Sequence, residues 1–326
     1  MAQYSFVKHT DVPDRVSQVT DLSLDAFSEM DATPCFDIAY TEWFLERPGC
    51  EPERCVAALK GEQMVSMALV TLQQMRLGER MLRCGIIDSV ATHPAHREQG
   101  LAHRLMGEAH EVLRESGADA AVVYTDPQRP AYLLFQGMGY INRAYFRLMR
   151  GHSPEPEIAM EVHEATPDEH GRIIELLDDF YSSREGFVPV TEKLWSWRKI
   201  DRAPVSEVEV LVAEAGDEIA AVCTGHQAVP LQAQPRPLTT ISDLAWRPGH
   251  CDPAEALKSM LAAAPQQGFV TMADITDQIF PVYEAAGFDK KSGHVAMVLP
   301  LSETGREALE TDPVPWYPMV ESVIAV

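Results

Sequence analysis

At 326 residues, with 46% hydrophobic and 23% charged residues, the chain has room for roughly two domains of about 150 residues and lies outside the disordered class. A formal net charge of −22 argues against nucleic acid or an anionic membrane as partner, since either needs a basic stripe to displace counterions; a cationic substrate is compatible with it. No run of about 18 apolar residues occurs, and the start MAQYSFVKHTDVPDR lacks a charged-then-apolar signal pattern, so a cytoplasmic protein is expected.

In chain order, the first unit opens with a strand and the amphipathic helical stretch VSQVTDLSLDAF. Cys55 to Val70, CVAALKGEQMVSMALV, reads as a hairpin turning at Gly61. Ile86 to Ala91 makes a buried strand, His93-Pro94 ends it, and Gly100 opens the helix LAHRLMGEAHEVLRESG. A strand, VVYTDP, and a helix running to Gly139-Tyr140 close the unit. His152 to Val162, HSPEPEIAMEV, fits a short linker followed by a new first strand. The six cysteines (Cys35, Cys50, Cys55, Cys84, Cys223, Cys251) form no Cys-x-x-Cys pair, so neither a metal site nor a disulfide framework is expected.

Beyond the linker the pattern returns. DEHGRIIELLDDFY is the helix, VLVAEAGDEIAAVCT the hairpin with Gly216 in the place of Gly61, TISDLAWRP answers IIDSVATHP, and PVYEAAGF answers LLFQGMGY. The three anchors keep their order at offsets of 155, 154 and 148 residues, which reads as two copies of one unit. The expected division is 1–151, a linker 152–159, 160–301, and a tail 302–326 whose prolines and aromatics suit an extended segment laid on the body. Strands mixed with helices indicate an α/β (α+β) sheet flanked by helices.

The junction VATHPAHREQGLAHRLM (residues 90–106) carries the chemistry. A strand, a turn containing glycine and a helix present a row of unpaired N–H groups at the positive end of a helix dipole, which is an anion site. Arg97 and Arg104 are candidates for charge-assisted contacts to it, a solvated helix-end charge being the alternative for each. These residues resemble motif A of the GNAT N-acetyltransferase superfamily, Arg/Gln-x-x-Gly-x-Gly/Ala, with Arg97, Gly100 and Ala102 in register. The resemblance covers Tyr4 to about Arg150 by motif and Glu161 to about Leu301 by the repeat. It implies two tandem GNAT folds, each a mixed, mostly antiparallel sheet, and acetyl-CoA (coenzyme A) as cofactor. The pyrophosphate is expected on the amides of Glu98, Gln99, Gly100, Leu101, Ala102 and His103. Pantetheine is expected along Val90, Ala91 and Thr92, with the thioester in the splay between the fourth and fifth strands.

Acetyl transfer to an amine needs a base for the ammonium proton, and an acid assists the leaving thiolate. The family often uses as acid a tyrosine four residues before the Gly-aromatic pair. Phe135 stands at that coenzyme-contacting position here and cannot donate a proton; Tyr132, one helical turn earlier, is a candidate substitute, although an aromatic at that spacing is more often core, and the thiolate can also leave unassisted. Asp88 and Asp126 are the carboxylates nearest the splay. A charge inside an apolar strand is seldom kept without a partner or a task; either aspartate could instead cap a turn, and for Asp126, followed by Pro127, the cap is the favoured reading.

The second copy has Tyr283 at the family's acid position, but its turn, Pro248 to Ala256, carries Pro253 and Glu255 and no glycine in the place of Gly100. It is expected to have lost the coenzyme and to frame the first copy's acceptor pocket. This layout resembles the enhanced intracellular survival type of aminoglycoside acetyltransferase, whose third, sterol-carrier-like domain has no counterpart in these residues; mycothiol synthase, also tandem, uses its second half instead. In the former type the C-terminal carboxylate, here Val326, enters the active site. The expected function is N-acetylation of a primary amine on a small molecule or peptide. A non-catalytic acyl-CoA-binding sensor is the alternative, and a homo-oligomer is left open.

Overall fold

The computed structural model describes residues 4–27, 37–154, 159–202, 206–227, 238–265 and 268–318. The first half runs β1 (Ser5–Lys8), α1 (Arg15–Phe27), α2 (Ile38–Leu45), β2 (Val56–Lys60), β3 (Gln63–Leu77), β4 (Arg80–Thr92), α3 (Leu101–Glu115), β5 (Ala120–Thr125), α4 (Pro130–Gly137) and β6 (Ile141–His152). The second runs β7 (Glu161–Glu164), α5 (His170–Tyr181), α6 (Glu192–Trp195), β8 (Val208–Ala215), β9 (Glu218–Gln227), β10 (Thr239–Trp246), α7 (Pro253–Ala263), β11 (Gly268–Asp274), α8 (Ile279–Ala285) and β12 (Asp289–Pro300), with α9 (Glu303–Leu309) after it. A π-helical turn, Ser196–Ile200, extends α6. Both hairpins read from the sequence form, β2 with β3 and β8 with β9, and Gly61 and Gly216 turn them with φ of 66° and 68°.

The expected mixed, mostly antiparallel sheet flanked by helices is present, and the strands of both halves join in one 12-stranded sheet of order β1-β2-β3-β4-β5-β12-β6-β11-β10-β9-β8-β7. Among the described strands, only β4 with β5 and β10 with β11 run parallel. The last strands are exchanged: β12 lies between β5 and β6, and β6 lies between β12 and β11. Each half therefore completes its strand ladder with the other half's final strand, which removes two sheet edges.

Helix α3 shows how the sequence pattern becomes packing. Its buried residues Leu101, Leu105, Ala109, Val112 and Leu113 recur at helical spacing and face the sheet. A methyl group at Gly85 of β4 would lie 2.2 Å from Leu113 Cδ2, so glycine is what lets helix and strand touch. Burying each such leucine is worth about 1.5–3 kcal/mol.

The halves are also locked by side chains. Trp43 of α2 and Trp197 stack at 4.6 Å with planes 6° apart, and each indole N–H donates to the other's carbonyl, at 2.9 and 2.8 Å. Glu185, fully buried, accepts two 2.7 Å bonds from Arg143 of β6 and one from the Gly78 amide at the β3–β4 turn. Breaking a buried pair of this kind by removing one partner costs about 3–5 kcal/mol. Among the described residues, no helix is long and apolar enough to cross a membrane.

Candidate active site

β4 pairs with β5 over three rungs only, the last being Ile86 with Val122. Beyond it β4 carries a bulge, since Leu69 of β3 faces Asp88 while Met67 faces Ala91. Ser89 adopts φ of 50° there. An extra residue on one strand bends it and increases its twist, which opens the splay at this level. Val90 and Thr92 are half-buried; Ala91 is buried, and its carbonyl accepts from Ser66 Oγ at 2.7 Å.

The turn after β4 has an unusual backbone. Glu98 and Gly100 both take left-handed φ, 61° and 74°, on either side of Gln99. Such alternation curls neighbouring N–H groups toward one point. Gly100 is the N-cap of α3 and supplies no side-chain cap, so the first-turn amides keep no capping partner. Residues 97–100 and His103 are exposed, and Ala102 is half-buried.

Side chains hold the turn from outside. The Tyr4 hydroxyl donates to Gln99 Oε1 at 2.7 Å and lies 2.9 Å from His96 Nδ1, which must then be the donor of that pair. Arg97 donates to the carbonyls of Ala26 and Thr92, tying α1 to the end of β4, so part of its guanidinium is a brace. Arg104 stacks over Phe6, 3.7 Å from the ring centre, and is exposed.

Asp88 sits at the start of the bulge. Its side chain is 10% exposed, and Oδ2 accepts from Arg47 Nη2 at 2.8 Å. Oδ1 is buried and accepts no hydrogen bond. Burial pushes this carboxyl above its ordinary range, and the Arg47 charge pulls it back. Arg47 is fixed in turn: Nε donates to Thr71 Oγ1 at 2.7 Å, Nη1 to the Phe44 carbonyl, and the guanidinium rests on the Phe44 ring. Tyr40 of α2 shares this environment. Its hydroxyl is pushed up by burial, with Arg202 and Arg47 opposing and Asp88 adding to the shift.

The other sequence candidates lie across the splay. Asp126 Oδ1 accepts from the Gln128 amide at 2.8 Å, closing a turn at the end of β5. The Tyr132 hydroxyl accepts from Asn142 Nδ2 at 2.9 Å, so its proton stays available. Phe135 is 4% exposed and packs against Tyr140, whose hydroxyl pairs with His110 Nε2 at 2.8 Å. Sequence reasoning missed Arg47 and Tyr40. The one available signal was Asp88 itself, since a carboxylate in an apolar strand demands a cation that the sequence does not point to.

The second half builds the same geometry and fills it. β10 pairs with β11 over two rungs before diverging, and a bulge falls between Ile241 and Asp243. Leu244 stands where Val90 stands in the first half, and the Tyr181 hydroxyl bonds both its carbonyl (2.6 Å) and its amide (3.1 Å). The tail closes the remaining space. Trp316 is fully buried; its amide donates to Asp274 Oδ2 and its indole N–H to Tyr124 Oη. Tyr317 donates to Asp243 Oδ1 at 2.7 Å, within a buried group that includes Arg198 and Lys199. At α7, Asp252 caps the helix by accepting from the amides of Ala254 and Glu255, and Pro253 removes a further donor. Tyr283 is buried against Phe288, its hydroxyl pushed well up by burial. Val326 lies outside the described residues.

Residues 10–140 match the family described as acetyltransferase (GNAT) domain. No curated protein matches the sequence significantly. Among solved structures, the fold is similar to a GCN5-related N-acetyltransferase from Anabaena variabilis, at 11% identity and a TM-score of 0.68 over 93% of this chain and 74% of that one. It is also similar to Saccharomyces cerevisiae N-myristoyltransferase with bound myristoyl-CoA, at 11% identity and a TM-score of 0.71 over 92% and 83%. A candidate acetyltransferase of Pyrococcus horikoshii aligns over 99% of this chain and 96% of its own, at 12% identity and a TM-score of 0.66. The domain match supports acyl transfer, and the likeness to these structures shows a shared fold.

Proposed function

We propose that the chain is an acetyl-CoA-dependent N-acetyltransferase for a primary amine of a small molecule or peptide, with binding and chemistry in the first half. The observation that carries this reading is the bulged, splayed end of β4, leading from a buried carboxyl with one unbonded oxygen into an uncapped helix start. The bare amides and the two left-handed residues suit a diphosphate, and the half-buried edge at Val90 and Thr92 suits an extended arm. The coenzyme supplies an activated acetyl thioester. The chain's own task is to place the amine and take its proton. Asp88 is the base in this reading, because its raised affinity for a proton and its free Oδ1 suit proton abstraction, and Arg47 fixes its orientation. Phe135 offers no proton, so the thiolate leaves unassisted or with Tyr132; a thiol pKa near 8.5 makes that feasible.

In the same reading the chain divides at 1–151, 152–159, 160–301 and 302–326, and the second half binds no coenzyme but frames the acceptor side of the first through Trp197 and its neighbours. Titration calorimetry with acetyl-CoA, followed by thiol release across a panel of amines, tests it. Binding at one site per chain with turnover on some amine is expected; no binding heat would remove its basis. Phe135 motivates a second reading, a coenzyme-A-binding sensor without turnover. It would be favoured by tight binding with no thiol released on any amine.

A further inference from the structure

The loop between α2 and β2 carries two thiols that neither the coenzyme turn nor the base uses. Cys50 and Cys55 are both buried, and their Sγ atoms lie 3.8 Å apart. Of the other described thiols, Cys84 and Cys223 are sealed in the core, where burial pushes both up, and Cys251 is half-buried. The Cys50 thiol differs. The hydrogen bond from Cys55 draws it down to about 7, burial and Asp88 oppose this, and the charges of Arg47 and Arg15 assist. Cys55 is pushed well up by the same bond and by burial, so Cys50 is the sulfur of the pair that gives up its proton more readily. The loop is pinned around them: the Cys50 amide donates to the Arg47 carbonyl at 3.0 Å, and the Leu72 amide to the Gly49 carbonyl at 3.0 Å. Arg47, at the start of this loop, is the residue that holds Asp88.

We propose that Cys50 and Cys55 form an oxidative modification site whose reactant is a hydroperoxide, yielding a disulfide that disturbs the Arg47–Asp88 contact. The Cys50 thiolate attacks the peroxide oxygen, the O–O bond breaks, Cys50 becomes a sulfenic acid, and the alcohol or water leaves after taking up a proton. The Cys55 sulfur then attacks the sulfenic sulfur. The S–O bond breaks, the S–S bond forms, and the hydroxide departs as water with the Cys55 proton. Two thiols lose two electrons and one hydroperoxide gains them. Closing the sulfurs from 3.8 Å to about 2.05 Å moves the loop that carries Arg47. The effect on turnover rests on the acetyltransferase reading; the modification itself does not.

The test treats the full-length protein with hydrogen peroxide, blocks free thiols and digests with trypsin without reduction. Cleavage after Arg54 and Lys60 releases the hexapeptide CVAALK, and the disulfide would join it to the peptide ending at Arg54. That peptide also contains Cys35, so the link is expected to survive in Cys35→Ala, to vanish in Cys50→Ala, and to be reversed by dithiothreitol. A link that persists in Cys50→Ala, or a wild-type hexapeptide that stays unlinked under oxidation, overturns the site. Fragmentation of the linked wild-type peptides, which tells Cys35 from Cys50, keeps the test intact if a variant fails to fold. The oxidised protein should turn over severalfold more slowly than the reduced one, with coenzyme affinity unchanged. Equal turnover with the disulfide present would overturn its coupling to Asp88, whereas no turnover in either state would count against the acetyltransferase reading alone.

Discussion

The helix after the fourth strand begins differently in the two halves, though strand, turn and helix follow one another in both. At Gly100 the backbone swings into the left-handed region and the first amides of α3 have no cap; at Asp252 the side-chain carboxylate accepts from two of α7's first amides. A bare helix start attracts an anion, and one already holding a carboxylate repels it. The same substitution of self for ligand recurs along the strand. Val90 lies half-buried on an open edge, whereas Leu244 has both backbone groups bonded by Tyr181 and the tail's Trp316 and Tyr317 beside it. Even the aromatic pairs are mirrored, Phe135 on Tyr140 and Tyr283 on Phe288, with the hydroxyl at opposite positions. A fold can keep its shape while a few polar atoms decide whether its cleft stays open.

The contrast is tested hardest at the carboxyl that only the first half keeps next to an open splay. Asp88→Asn should lower turnover by about 10²–10⁴-fold while coenzyme affinity stays near wild type. Because burial raises this carboxyl, the acid limb of the wild-type rate profile should lie above the usual carboxylate range, with activity lost as pH falls through it. Asp88→Asn should abolish that limb. A profile unchanged in the variant would assign the base elsewhere.

The next effect concerns the helix starts. A Cβ at Gly100 meets nothing within 4 Å, so Gly100→Val should fold, but it places a branched residue in the left-handed region. That strain, about 1–2 kcal/mol, together with the bulk over the amides, should weaken coenzyme binding by at least about tenfold. Calorimetry should give one coenzyme per chain for the wild type; a value of two would show that α7 also binds.

Tyr181→Phe tests the filled cleft. Its loss leaves the Leu244 amide and carbonyl buried without a partner and should destabilise the protein by about 1–3 kcal/mol per group, read as a lower denaturant midpoint. Coenzyme affinity should not change. The smallest effect belongs to Asp252→Ala, which removes the α7 cap at a cost of about 1 kcal/mol and should open no second coenzyme site, because Pro253 and the tail remain.

Local features were legible in the sequence because they rest on local physics. The hairpins at Gly61 and Gly216 and the strand-turn-helix at Gly100 need residues that tolerate positive φ, and α3 declares its buried face by spacing alone. The repeated element order was legible as well, from three anchors at nearly constant offset. Asp126 as a turn cap followed from the proline after it, and Asp88 as the residue needing a partner followed from its apolar strand.

The rest was decided by tertiary structure. No residue pattern announces that β12 inserts between β5 and β6, since strand exchange depends on which edges meet once both sheets exist. Arg47 reaches Asp88 across 41 residues, Trp43 reaches Trp197 across 154, and Trp316 reaches Tyr124 across 192. Such bonds form between groups that neither propensity nor periodicity relates. Strands, turns and helices begin where the residue pattern puts them, because backbone sterics and burial period act over a few residues. Which cleft remains open was settled only when the folded sheet brought Tyr181 and the tail onto one of the two, since a hydrogen bond over a few ångströms depends on the position of its partner in space and not on its place in the chain.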